Sequence, residues 1–240
     1  MLILSIDSSA TAASVALTEE GKLVGEFFVN TSFTHSVTLV PMIENLLSVT
    51  GKSVADIGMI AVSNGPGSFT GVRIGVSVAK GIAFPEDIPC MAVSTLESMA
   101  YNLISADCIV CAVMDARRNQ VYNAMFKVEN GKVQRLCDDR AVAIADLKEE
   151  IISKYSDRRV ILVGDGTDVT LRGFGEDSAL QNVESAPDTL RFQRASSVAI
   201  SANVRLAKGE EPVNSSELLP SYLRLSQAER ERQEKQAQNQ

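Results

Sequence analysis

A chain of 240 residues, of which 45% are hydrophobic and 5% aromatic, is long enough to form the core of one large or two small domains. Its net charge of -7 argues against a protein whose main role is to bind nucleic acid, because phosphate binding needs a basic surface. No apolar run approaches the roughly 20 residues that span a bilayer, so we expect a cytoplasmic protein without membrane contact.

The first half of the chain alternates the patterns of strands and helices. Short apolar runs separated by turn residues predict three strands joined by hairpins, followed by a helix that stops at Gly51. Pro41 falls inside that helix, where we expect a kink or a break because proline lacks the N–H of the helical hydrogen bond. The predicted strands are 2–7, 12–17, 21–29, 57–63 and 88–94, and the predicted helices are 34–49, 69–84 and 95–104.

A second, weaker copy of this pattern occupies the second half. Residues 108–136 can be laid over residues 2–27 so that Asp115 falls on Asp7. Unless the similarity is a coincidence, the chain contains two copies of one strand-strand-strand-helix-strand-helix unit. We therefore predict an N-terminal lobe over 1–104, a smaller C-terminal lobe over 105–225, and a polar tail over 226–240 that is disordered or a solvated helix end.

Two carboxylates at matching places are the first candidates for a site. Asp7 ends the first predicted strand and is followed by Ser8, so the pair could hold a hydrated Mg²⁺ near a phosphate or simply bond the amides of the turn. Asp115 ends the equivalent strand of the second copy. This correspondence favours two lobes that face each other across a cleft, with one carboxylate from each.

The Gly-rich turn "GPGSFTG" is the second candidate. It is neither a P-loop nor a dinucleotide fingerprint, because its glycines have the wrong spacing and no Gly-Lys-Ser/Thr follows. Ser68 would cap the next helix and leave backbone N–H groups that could meet an anion. Alternatively, Gly65 and Gly67 only supply backbone angles that other residues cannot adopt.

The helix after this turn has one face almost without side chains. Gly71, Gly75 and Ala79 recur every four residues, although a glycine inside a helix costs about 1 kcal/mol relative to alanine. Such a face implies that another backbone comes close. It could belong to the protein's own sheet or to a helix of a partner chain, and the sequence favours neither.

The residue types that build metal and nucleophile sites are sparse. His35 is the one histidine, so a paired-histidine metal centre cannot be built, and no nucleophile signature for a serine triad lies near it. Cys108 and Cys111 stand three residues apart in a predicted strand, where their side chains should face opposite sides. We interpret them as buried thiols rather than as a metal or redox pair.

Four segments carry a family resemblance when taken together. They are "LSIDSS", "HSVTLVPMIENLL", "GPGSFTGVRIG" and "ELLPSYLR", and in this order the chain closely resembles the bacterial TsaB (YeaZ) family from Met1 to about Leu225. The tail after Leu225 departs from that pattern. The resemblance implies an α/β actin-like ATPase (ASKHA, ribonuclease H-like) fold, with two related lobes that each contain a mixed sheet flanked by helices.

The resemblance also implies a function in making N6-threonylcarbamoyladenosine (t6A) in tRNA. Family members are non-catalytic subunits that support a TsaD-type transferase, associate with a TsaE-type ATPase, and form homodimers in isolation. The resemblance implies that this chain has no catalytic or metal-binding residue. It also implies that the chain needs no cofactor of its own, while its partners use ATP and Mg²⁺, and that it contacts tRNA through the complex. The alternative from another class is a phosphotransferase or ATPase acting through Asp7 and Asp115.

The partner surface that the resemblance implies consists of the predicted helices 34–49 and 69–84. Its residues are His35, Leu39, Ile43, Phe69, Gly71, Ile74, Gly75, Val78 and Ala79.

Overall fold

A computed structural model of the chain describes residues 1–31 and 33–224. The predicted polar tail over 226–240 lies outside the described residues. The strands are β1 (Leu2–Asp7), β2 (Ala12–Glu19), β3 (Lys22–Asn30), β4 (Ile57–Gly65), β5 (Cys90–Ser94), β6 (Cys108–Asp115), β7 (Gln120–Glu129), β8 (Lys132–Arg135), β9 (Arg140–Ala143), β10 (Val160–Val163) and β11 (Val183–Ser185). The α-helices are α1 (His35–Thr50), α2 (Phe69–Ala83), α3 (Thr95–Ala100), α4 (Ile144–Tyr155), α5 (Thr167–Phe174), α6 (Asp188–Arg191) and α7 (Ala195–Ala207).

The strands form two mixed sheets with the same internal order. The first sheet runs β3-β2-β1-β4-β5, with antiparallel pairing among β1 to β3 and parallel pairing of β1 with β4 and of β4 with β5. The second runs β8-β7-β6-β10-β11 with the same directions, and β9 adds to β7. Asp7 and Asp115 each end the first strand of their sheet. The prediction of two related lobes is therefore confirmed.

Helices cover both faces of the first sheet. Side chains at alternate positions of β1 point to opposite faces, so Leu4 and Ile6 pack with α1 and α2, whereas Ile3 packs against Val198 and Ala202 of α7. Helix α7 follows the second sheet in sequence but lies on the first. The domain boundary at residue 104 remains a prediction.

Two predicted helices differ from the structure: α3 ends at Ala100 rather than at residue 104, and α1 is continuous through Pro41. Helix α1 runs from His35 to Thr50 and includes Pro41, so a break at this residue is wrong. Pro41 is on the exposed side of the helix. The carbonyl group that loses its N–H partner can therefore be hydrated, which lowers the cost of the proline.

The two cysteines of "CIVC" lie as predicted. Cys108 and Cys111 are both on β6 and belong to different core clusters on opposite faces of the second sheet. All four cysteines of the chain are free thiols. Separately, none of the helices in the described part of the chain combines the length and apolarity that a membrane-spanning segment needs.

Candidate functional site

A cleft of about 690 Å³ lies where the two sheets meet. Its walls come from the β1–β2 turn, the Gly-rich turn before α2, the end of β6, and a segment near the C-terminus that we call the strap (residues 213–224). The lining residues used below are Ser9, Gly67, Ser68, Phe69, Asp115, Arg117, Asp165, Tyr222 and Arg224.

Asp7 is buried beneath this cleft and does not line it. Its Oδ1 accepts hydrogen bonds from the Ser9 amide at 2.9 Å and the Ser9 hydroxyl at 2.7 Å, and its Oδ2 accepts one from Ser63 Oγ. Burial raises the pKa of Asp7, while the bonds from Ser63 and Ser9 partly offset that effect. Both oxygens of the carboxylate therefore organise the turn and strand around them.

The Gly-rich turn packs directly on the turn that contains Ser8 and Ser9. The Ser68 amide donates to the Ser9 carbonyl at 2.7 Å, and the Ser8 hydroxyl donates to the Gly71 carbonyl at 2.9 Å. A Cβ atom on Gly67 would stand 2.4 Å from the Ser9 carbonyl oxygen. Ser68 also caps α2, because its Oγ accepts from the Gly71 amide at 3.3 Å. These three donors bond the chain itself, and a role of the turn in binding phosphate stays a prediction.

The small-residue face of α2 meets the same turn. A Cβ atom on Gly71 would lie 2.1 Å from the Ser8 carbonyl oxygen, and one on Gly75 would lie 2.5 Å from the Ser8 hydroxyl. Ala79, one turn further on, is fully buried. Of the two sequence alternatives, close packing on the protein's own sheet is the one observed, and these three residues are not accessible to a partner.

The remaining predicted interface residues divide by burial. Leu39 and Ile43 face the core beneath α1, so they too are unavailable for contact with a partner. Ile74 and Val78 are half-buried at the edge of that core, Phe69 is a half-buried cleft residue, and His35 bonds the Ala10 carbonyl through Nε2 at 2.6 Å.

The exposed side chains of the same region form what we call the apolar helix face. On and just before α1, Phe33 is 70% exposed, Val37 65% and Val40 43%. On the neighbouring α2, Ile74 and Val78 are half-buried against the same core. Large apolar side chains exposed together are typical of protein–protein contacts. The periodicity that identified α1 did not separate its core side from this outer side.

The strap covers the Gly-rich turn and reaches the second lobe. The Ser221 amide donates to the Asn64 carbonyl at 2.7 Å, and Arg224 donates through Nη1 to the Ala116 carbonyl at 3.1 Å. Gly65 adopts a φ of 124°, and a Cβ there would stand 2.3 Å from the Ser221 carbonyl oxygen. The glycine is required by this close approach as well as by its φ.

An aromatic and cationic cluster fixes the strap to α2. The rings of Phe69 and Tyr222 stack with centroids 4.8 Å apart, and Arg73 donates through Nε to the Tyr222 hydroxyl at 2.7 Å. The Arg73 guanidinium also lies 3.8 Å from the centroid of Phe69. Sequence reasoning used "ELLPSYLR" only as a family motif, and its turn-forming Pro220 was the one local signal of a strap.

Two carboxylates, Asp115 and Asp165, line the cleft, and the sequence analysis did not predict Asp165. Asp115 accepts from the Arg117 amide at 2.7 Å and pairs with its guanidinium at 3.1 Å. Asp165, in the "GDG" turn after β10, accepts from Gln193 Nε2 at 3.1 Å. Burial raises the pKa of Asp165 to about 6, against the effect of the Gln193 bond, and the charges of Asp115 and Asp7 contribute. Its position two residues after a buried strand was the available signal.

The described residues contain no group of three or more His, Cys, Asp or Glu side chains placed to hold a metal ion. The two related lobes, each a mixed sheet flanked by helices, define an α/β protein with the actin-like ATPase fold. Within that fold, the Gly-rich turn packs against the chain's own Ser8 and Ser9 and against the strap.

Comparisons with known proteins agree with the sequence motifs. Residues 29–232 match the family model described as "TsaD: tRNA N6-adenosine threonylcarbamoyltransferase". The chain is 34% identical to the tRNA threonylcarbamoyladenosine biosynthesis protein TsaB of Bacillus subtilis (strain 168), over 95% of this chain and 96% of that protein. It is 37% identical to the protein of the same name from Escherichia coli (strain K12), over 63% of this chain and 64% of that protein.

A solved structure, YeaZ from Pseudomonas aeruginosa, is similar with a TM-score of 0.77 and 27% identity, covering 92% of this chain and 99% of that one. The chain belongs to the TsaB (YeaZ) family, as its four motifs indicated.

Proposed function

We propose that this chain is a non-catalytic scaffold subunit of the cytoplasmic complex that makes t6A in tRNA. In this role it supports threonylcarbamoyl transfer by a TsaD-type partner without performing the transfer. Membership of the TsaB family supports a role for this chain in making t6A, since its relatives in Bacillus subtilis and Escherichia coli are named for tRNA threonylcarbamoyladenosine biosynthesis.

The observation that carries the non-catalytic role is that the Gly-rich turn and Asp7 make their hydrogen bonds within the chain. A phosphoryl-transfer site needs free backbone donors for phosphate and an accessible carboxylate for the metal. Here the Ser68 amide bonds Ser9, and the carboxylate of Asp7 is buried and bonded to Ser63 and Ser9. This supports a subunit that needs no nucleotide of its own, while ATP and Mg²⁺ serve its partners.

The apolar helix face is the proposed contact with the TsaD-type subunit. Phe33, Val37 and Val40 are exposed apolar side chains, and their burial against a partner would be favourable by about 25 cal/mol per Å² of apolar area. The same face would join two copies of the chain when the partner is absent. The TsaE-type ATPase would bind the assembled complex, which would present tRNA to the catalytic subunit.

Co-purification with the TsaD-type subunit of the same organism tests this proposal. The double variant Val37→Asp/Val40→Asp should lower partner affinity by at least about 10-fold, because two charges would be buried in the contact. Leu136→Asp/Leu190→Asp is the matched control, since both leucines are 38% exposed and lie outside α1 and α2. Equal complex formation by all three proteins, each with an unchanged melting temperature, would refute the interface.

A second candidate function is a phosphotransferase or ATPase that uses the cleft. The observation that favours it is the pair Asp115 and Asp165, which line the cleft together. Calorimetry with ATP and Mg²⁺ on the isolated chain separates the two functions. Micromolar binding with turnover that Asp115→Asn abolishes would support the enzyme, whereas the scaffold predicts neither.

A further inference from the structure

A groove at the edge of the second sheet has cationic side chains at half of its lining positions. We call it the basic groove; it has a volume of about 480 Å³ and lies between the β7–β8 hairpin and the end of α7. Its cationic residues are Lys127, Lys132, Arg135 and Lys208, and its other lining residues are Glu129, Asn130, Val133 and Gln134.

Two of the four cations are already used within the protein. Lys127 pairs with Glu129 at 2.7 Å, and Arg135 pairs with Glu97 and Asp139. Lys132 and Lys208 are both exposed, and neither has an ion-pair partner among the residues that the structure describes. The groove therefore carries an excess of positive charge on a chain whose net charge is -7.

The groove has a defined shape. Asn130 and Gly131 both adopt positive φ angles, 53° and 70°, which is the tight hairpin turn that "NG" favours. The Asn130 amide donates to Asp107 at 3.0 Å, which ties the turn to the start of β6. Lys132 follows directly on this turn, so its backbone position is fixed on a paired strand.

The groove and the apolar helix face belong to different sides of the molecule. Lys208 is the C-cap residue of α7, and this helix packs on the face of the first sheet opposite to α1 and α2. A partner on the apolar helix face would therefore leave Lys208 accessible. The two surfaces can be occupied together.

We propose that the basic groove binds the phosphate backbone of tRNA. Lysine ammonium groups are point charges that contact phosphate oxygens, and the side-chain amides of Asn130 and Gln134 supply neutral donors of the kind that position a backbone without reading sequence. The inference rests on the proposed function, because tRNA is the RNA on which such a complex acts. It gives this chain a direct contact with the substrate.

The test uses the isolated full chain and a fluorescently labelled tRNA transcript at low ionic strength. Lys132→Glu/Lys208→Glu should weaken binding by at least about 10-fold and reduce the slope of log affinity against log salt by about 1 to 2, the loss of two phosphate contacts. Lys22→Glu/Arg172→Glu is the matched control, with the same change of charge at two exposed sites outside the groove. It should keep most of the affinity.

Equal affinity and equal salt slope for both double variants would overturn the proposal, as would a wild-type chain that does not bind tRNA at low salt. If Lys132→Glu/Lys208→Glu no longer bound the TsaD-type subunit but kept its tRNA affinity, the groove would bind protein instead. That result would also overturn the proposal. If the wild-type chain binds tRNA through the groove but does not co-purify with a TsaD-type subunit, the proposed function fails while the groove assignment stands.

Discussion

The backbone of Gly71 lies against Ser8 so closely that a Cβ atom at residue 71 would stand 2.1 Å from the Ser8 carbonyl oxygen. Neither backbone can yield without moving a helix or a strand end. Gly71→Ala should therefore lower the free energy of unfolding by about 1–3 kcal/mol or more. Urea denaturation of the full chain measures the change.

Gly81 of the same helix provides the control. A Cβ atom there would meet nothing within 4 Å. Gly81→Ala should raise the free energy of unfolding by about 0.5–1 kcal/mol, because alanine is the better helix former. If the two substitutions shift stability equally, the contact with Ser8 is not what requires the glycine.

The Asp165 carboxyl makes stability depend on pH. Burial raises its pKa to about 6, so the folded state keeps this proton at pH values where the unfolded chain, with a pKa near 3.8, has lost it. The free energy of unfolding should fall as pH rises from about 4 to about 6. Above that range it should stay lower than at pH 4 by at most about 3 kcal/mol. Urea denaturation at several pH values follows this change.

Asp165→Asn isolates the effect, because asparagine keeps an oxygen that can accept from Gln193. The variant should be more stable than wild type at pH 7, and the difference should vanish below about pH 4. A difference that is independent of pH would show that the substitution acts through packing instead.

Neighbouring leucines of the strap should differ in their effects. Leu218 is 1% exposed within the first core, whereas Leu219 is 65% exposed. Leu218→Ala should cost about 2–5 kcal/mol of stability, and Leu219→Ala should change it by less than about 0.5 kcal/mol. Chemical denaturation of the two variants is the measurement, and similar losses would mean that the strap is not anchored by Leu218.

Thiol labelling should distinguish the cysteines. Burial raises the pKa of Cys111 to about 12 and that of Cys90 to about 11, so neither forms thiolate at neutral pH. Cys137 is only half-buried. A disulfide reagent should modify one thiol rapidly in the native protein, and Cys137→Ser should abolish that phase. Rapid modification of two or more thiols would contradict the described burial.

Local patterns were sufficient to predict most of the fold. Apolar runs and turn residues located β1, β2 and β4, and the repeat placed Asp115 opposite Asp7 because both end a first strand. These features depend on neighbours in sequence. The repeat also predicted a second strand-strand-strand-helix-strand-helix unit, to which the structure adds β9.

The site was harder to predict because it depends on contacts between distant segments. The spacing of Gly71 and Gly75 indicated that something approaches α2 closely, but not that Ser8, 63 positions before Gly71, is what approaches. The helical spacing of Leu39 is compatible with a core residue and with a partner-contact residue. Its burial in the structure shows that it is a core residue. Asp165 was missed because its contact with Gln193 joins segments that are 28 positions apart in sequence.

The return of α7 to the first sheet has a consequence for synthesis on the ribosome. Ile3, Met59 and Ala61 are buried against α7, which begins at Ala195. Until that helix emerges, one face of the nascent N-terminal sheet lacks its native cover and exposes apolar side chains that invite misassembly. The N-terminal half therefore completes its fold only when nearly the whole chain has been translated.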